Sequence, residues 1–191
     1  MRVRNPVAAG LLLALPLLSL VGATAAQAKL DPGAKAPDFR ARATLGGKEF
    51  DASLAALLQK GPVVVYFYPA AFTKGCTVEA HDFADAIPQF EQLGAHVLGI
   101  SEDNIATLDK FSVSACQSVF PVASDANGKI AHAYDATMPV VSGYASRTSY
   151  AIAPDGTILA SYNAMDPDGH VSRMLDAIKK WAGKAAHANQ G

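Results

Sequence analysis

Cysteine is scarce in this chain: 191 residues hold two, Cys76 and Cys116, 40 positions apart. Two thiols cannot build a disulfide scaffold. There is no Cys-x-x-Cys, and neither a His-rich tract nor paired Cys/His spacing offers a zinc site. Charge is also sparse: 17% of residues are Asp, Glu, Lys or Arg, with 16 basic against 17 acidic, and no block of one sign runs along the chain. Neither nucleic acid nor an anionic membrane surface is indicated as a partner. No repeat, low-complexity tract or linker divides the sequence. Apolar residues make up 50% of it, enough for one domain with a real hydrophobic core.

The first 28 residues are set apart from that domain. Arg2 and Arg4 form a positive start, residues 7–21 are largely apolar, and Ala26-Gln27-Ala28 ends the segment with small residues. This is the pattern of a secretory signal peptide and predicts cleavage after Ala28, leaving a 29–191 domain that is periplasmic or secreted and not held in a membrane. The rival reading is a retained anchor. An apolar run of about 15 residues is short for a span of roughly 20, and the Ala-x-Ala end favours release. Losing Arg2 and Arg4 moves the formal charge from −1 to −3.

Beyond the leader, residues 29–39 read as an extended lead-in, 41–50 as a hairpin turning at Gly46-Gly47, and 51–58 as a short helix capped by Asp51 or Ser53 and closed by Gly61. Residues 63–68 form a continuous apolar run, the mark of a central strand buried on both faces. A helix over about 73–93 follows, which Pro88 should kink or interrupt. Strands are expected at 96–100 and 120–124 and helices at about 104–115 and 130–134. A hairpin over 148–162 turns at Pro154-Asp155-Gly156. A last amphipathic helix spans about 170–182, with Val171, Met174, Leu175, Ile178 and Trp181 on one side. The order implies an α/β domain with a central mixed sheet and helices on both faces. Tyr150 and Trp181 fit core positions.

The chemistry gathers at the end of the 63–68 strand. Cys76 falls in the first turn of the next helix, where unpaired N–H groups and the positive helix end favour thiolate, the nucleophilic form. Thr73, three residues earlier, can cap the helix and point its hydroxyl at whatever approaches the sulfur. Pro69 would form a stiff apolar wall. Glu79 lies one turn after Cys76 on the same face, and a carboxylate there opposes a thiolate unless a cation pairs with it. The position therefore asks for an arginine from elsewhere.

The run Pro69-Ala70-Ala71-Phe72-Thr73-Lys74-Gly75-Cys76 resembles the Pro-x-x-x-Thr-x-x-Cys signature of peroxiredoxins. Gly75-Cys76-Thr77 with Glu79-Ala80 looks like the bacterioferritin-comigratory-protein (PrxQ) subgroup. The likeness continues through residues 99–103, 120–125 and 147–156, covering nearly all of 30–182. The resemblance implies a thioredoxin-like fold and reduction of hydrogen peroxide and organic hydroperoxides. It makes Cys76 the peroxidatic nucleophile, Thr73 a hydrogen-bond partner of the peroxide, Pro69 a shield, and Arg147 the arginine that holds thiolate and transition state, with Glu79 orienting it. A guanidinium fork suits that task. No cofactor or metal is implied. The partner is a thioredoxin-like protein or small-thiol reductant, and the lack of a cysteine-bearing tail after the last helix points to a monomer.

The sequence departs from the subgroup where many members carry a second cysteine five residues after the first: here stands His81. Cys116, near the end of the next helix, either attacks the Cys76 sulfenic acid or packs as an ordinary apolar thiol while an external thiol resolves Cys76. His81 lies about 140° around the helix from Cys76 and reads as surface. Phe72 and Lys74 shape the mouth without a catalytic role. His96, His132, His170 and His187 form no cluster and read as structural or solvated. Three rival functions compete. A thiol/disulfide oxidoreductase lacks its second nearby thiol, a copper or thiol carrier lacks clustered soft ligands, and a non-catalytic binding protein would leave Thr73, Cys76 and Arg147 unexplained.

Overall fold

The computed structural model describes residues 29–188, so the expected 1–28 leader lies outside the described residues, as does the side chain of His187. Seven strands and five helices follow one another as β1 (Arg40–Leu45), β2 (Lys48–Ser53), α1 (Leu54–Leu58), β3 (Val63–Phe67), α2 (Lys74–Gln92), β4 (His96–Ser101), α3 (Ile105–Ser114), β5 (Val122–Ser124), α4 (Lys129–Ala133), β6 (Thr148–Ile152), β7 (Ile158–Asn163) and α5 (His170–Ala188). They make a single mixed sheet in the order β2-β1-β5-β4-β3-β6-β7. The β3–β4 and β4–β5 pairs are parallel, and β1 and β6 join antiparallel.

Strand β3 explains the layering. All five of its residues are buried, and they alternate between two cores. Val64 and Tyr66 face the layer containing α2, α3 and α5, whereas Val63, Val65 and Phe67 face the layer with α1 and α4. Tyr66 stacks on Phe83 of α2 with centroids 4.3 Å apart, an aromatic contact of about 0.5–1.5 kcal/mol beyond area burial. In β6, Tyr150 joins the α1/α4 core and Ala151 the other. Alternation therefore turns Ser149, with Arg147 just ahead of the strand, toward the α2 layer.

Several expectations shift in detail. Ser53, not Asp51, caps α1, its hydroxyl accepting from Ala56 N–H at 3.4 Å. Helix α2 runs through Pro88 without interruption. Proline deletes one N–H, and Pro88 sits on the exposed face while Ala84, Ile87 and Phe90 hold the buried one. Strand β5 begins at Val122, after Pro121, and α5 continues past Ala182 to Ala188. Trp181 is not core. It is half-buried in a shallow groove with Leu159 and Lys184, against the edge strand β7, where the sheet covers it on one side only. No helix among the described residues is long and apolar enough to cross a membrane.

Candidate active site

The chain leaves β3 through Tyr68 and Pro69 and turns into α2. Asp103, just beyond β4, holds this turn: its Oδ2 accepts from Ala71 N–H and from the Ser101 hydroxyl, each at 2.8 Å. Phe72 adopts φ +64°, an unusual left-handed conformation for a residue with a bulky side chain, at a cost on the order of 1–3 kcal/mol. Its ring meets Phe111 of α3 edge-on at 5.3 Å. Thr73 is the N-cap residue of α2 and Cys76 the third residue of the helix.

Thr73 does not cap with its side chain, contrary to the sequence expectation. Its hydroxyl donates back to the Ala70 carbonyl at 3.0 Å, which spends the proton and leaves the oxygen lone pairs as acceptors. Pro69 is half-buried at the start of the turn. Thr73 and Phe72 are exposed, while Cys76 is 1% exposed behind them.

Helix α2 buries a stripe beginning Cys76, Glu79, Ala80, Phe83, so the thiol and the carboxylate enter the interior together. The cation that this pairing demands is Arg147. Its Nη2 donates to Cys76 Sγ at 3.4 Å, its Nη1 to Glu79 Oε2, and its Nε to the Met165 carbonyl at 3.0 Å. Three acceptors from two segments thus fix one guanidinium, itself 3% exposed. Gly75 makes room for it, since a Cβ there would stand 3.0 Å from Nη2. Burial works against the Arg147 charge, and Glu79 and Cys76 more than restore it. Burial pushes the Glu79 carboxyl up to about 8, against the pull of Arg147.

Behind Glu79 stands His170, fully buried at the start of α5. Its Nδ1 is 2.7 Å from Ser149 Oγ and 3.5 Å from Glu79 Oε1, and its Nε2 is 3.1 Å from the Ala164 carbonyl. Burial pushes His170 down to about 4, with Ala164 opposing and Arg147 adding to the fall. Sequence reasoning left His170 among the structural or solvated histidines and assigned Ser149 no role. A signal existed: His170 is in phase with Met174 and Ile178, so a titratable ring sits in an apolar stripe.

Cys116 is a free, fully buried thiol just past α3. Burial raises it well above the ordinary thiol range, which suppresses the thiolate needed for attack. Gln117 and Ser118, next in the chain, both have positive φ, +51° and +58°. His81 is exposed, as are His132, Lys74 and Phe72. Among the described residues no group of His, Cys, Asp and Glu could hold a metal ion.

Comparison with known proteins converges on one group. The model of the AhpC/TSA family matches residues 32–161. Peroxiredoxin Bcp of Xanthomonas campestris is 31% identical over 134 residues, 67% of this chain and 79% of that protein. The chloroplastic peroxiredoxin Q of Oryza sativa subsp. japonica is 30% identical over 152 residues, 79% of this chain and 68% of that protein. Among solved structures, the peroxidoxin BcpB of Mycobacterium tuberculosis superposes with a TM-score of 0.72 at 29% identity, covering 79% of this chain and 97% of its own. Peroxiredoxin Q of Xanthomonas campestris gives 0.65 at 29% identity, covering 74% and 90%.

Proposed function

We propose a reaction cycle for this chain from the premise that it belongs to the AhpC/TSA family, as a thiol peroxidase of the Bcp and peroxiredoxin Q kind. Cys76 is the thiol that reacts, and hydrogen peroxide and organic hydroperoxides are the substrates. The observation that carries this reading is the Arg147 fork, which binds the Cys76 sulfur and the Glu79 carboxyl together behind the exposed Thr73.

In the first half-reaction the Cys76 thiolate attacks the terminal oxygen of R–O–O–H. The S–O bond forms as the O–O bond breaks, RO⁻ leaves and takes up a proton, and Cys76 becomes a sulfenic acid. Thr73 Oγ1, whose own proton is engaged with Ala70, accepts the hydroperoxide O–H. Arg147 stabilises the sulfur anion and the charge growing on the leaving oxygen. Glu79 orients Arg147, and Pro69 shields the sulfur from water.

In the second half-reaction a thiol attacks the sulfenic sulfur, releasing water and forming a disulfide. The burial of Cys116 and the suppression of its thiolate favour an external thiol, a thioredoxin-like protein or a small thiol, for this step. Cys116 serves instead only after the segment around Gln117 and Ser118 opens. The protein works as a monomer in the periplasm or outside the cell, after loss of residues 1–28. N-terminal sequencing of the exported chain tests that placement, and a mature protein still starting at Met1 would refute it.

The central test is peroxide consumption by residues 29–191, wild type against Cys76→Ser, with a dithiol reductant. Wild type should turn over and Cys76→Ser should not. Equal rates would remove Cys76 from the mechanism.

A further inference from the structure

The two oxygens of Glu79 have unequal surroundings. Oε2 accepts from Arg147, whereas Oε1, though buried, has no hydrogen-bond partner. The His170 ring faces it at 3.5 Å with Nδ1. The tautomer of that ring follows from its other partners. Nε2 meets the Ala164 carbonyl, which can only accept, so Nε2 carries the hydrogen. Nδ1 is then an acceptor and takes the Ser149 hydroxyl at 2.7 Å. Oε1 therefore faces a ring nitrogen whose one lone pair Ser149 already holds, an unfavourable contact until a proton enters the gap and the Ser149 hydroxyl yields.

We propose that Glu79 and His170 share one proton between Oε1 and Nδ1, and that this proton sets how much of the Arg147 charge is available to Cys76. His170 is thus a positioning residue for the peroxide step, acting through Glu79 and Arg147. The inference rests on Cys76 being the reacting thiol. With the proton in place the pair is neutral, and the guanidinium charge is free to hold the sulfur. Without it, the Glu79 carboxylate matches Arg147 and the thiolate has to compete. Burial disfavours both charged members, which places the proton on the carboxyl, where Oε1–H competes with the Ser149 hydroxyl for the single lone pair of Nδ1. The other groups acting on the pair are Asp82 of α2 on Glu79, Asp166 and Arg173 on His170, and the Tyr66 phenol of β3, which senses Glu79. The Tyr162 ring of β7 packs on His170 at 4.7 Å and adds no charge.

The test is the second-order rate constant for peroxide across pH in single turnover. Wild type should pass through a maximum and fall on the alkaline side, where the pair loses its proton. His170→Asn bonds Oε1 without titrating. It should lose the alkaline limb and react about tenfold more slowly at neutral pH, the worth of one pKa unit. Ser149→Ala frees Nδ1 for the shared proton and should move the limb to higher pH. Opposite movements in two variants of one cluster cannot come from general destabilisation. Infrared spectra at neutral pH should show a carboxylic C=O band that Glu79→Gln removes, and this readout is independent of turnover. Profiles of the same shape in wild type, His170→Asn and Ser149→Ala, or no carboxylic band, would overturn the shared proton. An inactive wild type that shows the band would overturn the reading of Cys76 instead.

Discussion

Gly75→Ala separates the arginine from the fold that carries it. Gly75 is the second residue of α2, and its φ is not in the left-handed region, so alanine is accommodated by the backbone. The new Cβ would lie 3.0 Å from Arg147 Nη2 and 3.8 Å from Cζ, where ordinary contact begins near 3.4 Å. Arg147 has little freedom to yield, because Nε is bound to the Met165 carbonyl at 3.0 Å and Nη1 to Glu79. The give falls on the Nη2–Sγ contact of 3.4 Å. A hydrogen bond to a charged group contributes about 1.5–3 kcal/mol, and losing half of it costs on the order of 1 kcal/mol, a five- to tenfold slower reaction with peroxide. Alanine meanwhile favours the helix over glycine by up to about 1 kcal/mol, less in a first turn. The expected variant is therefore at least as stable as wild type and about five- to tenfold slower. Stopped-flow single turnover gives the rate and thermal melting the stability. A wild-type rate in a folded Gly75→Ala protein would show that the Arg147–Cys76 contact does not limit the chemistry.

The remaining predictions concern pH and resolution. Glu79, raised to about 8 when folded, ionises at lower pH when unfolded, so it makes stability fall with rising pH. His170, lowered to about 4, makes stability rise with pH up to the ordinary histidine value near 6.5. The two effects oppose at acid pH and only the first acts above it, so denaturant titrations should show on the order of 1–2 kcal/mol lost between about pH 6.5 and 8. Glu79→Gln should flatten that slope whatever it does to the overall level, and a slope equal to wild type would refute the assignment. For Cys116, one equivalent of peroxide without reductant should leave a trappable Cys76 sulfenic acid with Cys116 free, and Cys116→Ser should keep most of the turnover with an external thiol. A mass loss of two hydrogens linking Cys76 to Cys116 in non-reducing spectra would establish the internal route instead.

The sequence carried the strand–turn–helix around Cys76 plainly, because a buried β-branched run, a proline and an N-terminal thiol each leave a local mark. It also carried the need for a cation, since Glu79 one turn after Cys76 calls for one; the resemblance assigned that role to Arg147, and Arg147 is there. Two features left no such mark. Phe72 reads as an ordinary loop aromatic, yet its positive φ comes from the Asp103 clamp and the Phe111 contact, both distant in sequence. Pro88 reads as a helix breaker, but the packing of Ala84, Ile87 and Phe90 outweighs one missing donor.

His170 and Ser149 share a different reason for being missed. Both are polar residues in otherwise apolar periodic segments, and periodicity alone marks such positions as interior without saying what satisfies them. The partners of His170 come from the end of β7, from β6 and from α2, so only the folded chain brings the imidazole to the unpartnered oxygen of Glu79. A buried polar group in an apolar stripe has to find its hydrogen bonds somewhere. When its neighbour in space is the carboxylate behind a reactive thiol, the requirement for satisfaction becomes a means of tuning the thiol. Thr73 and Glu79 can thus be found from local spacing and Arg147 from the family resemblance, whereas His170 is found by asking which buried polar atom still lacks a partner.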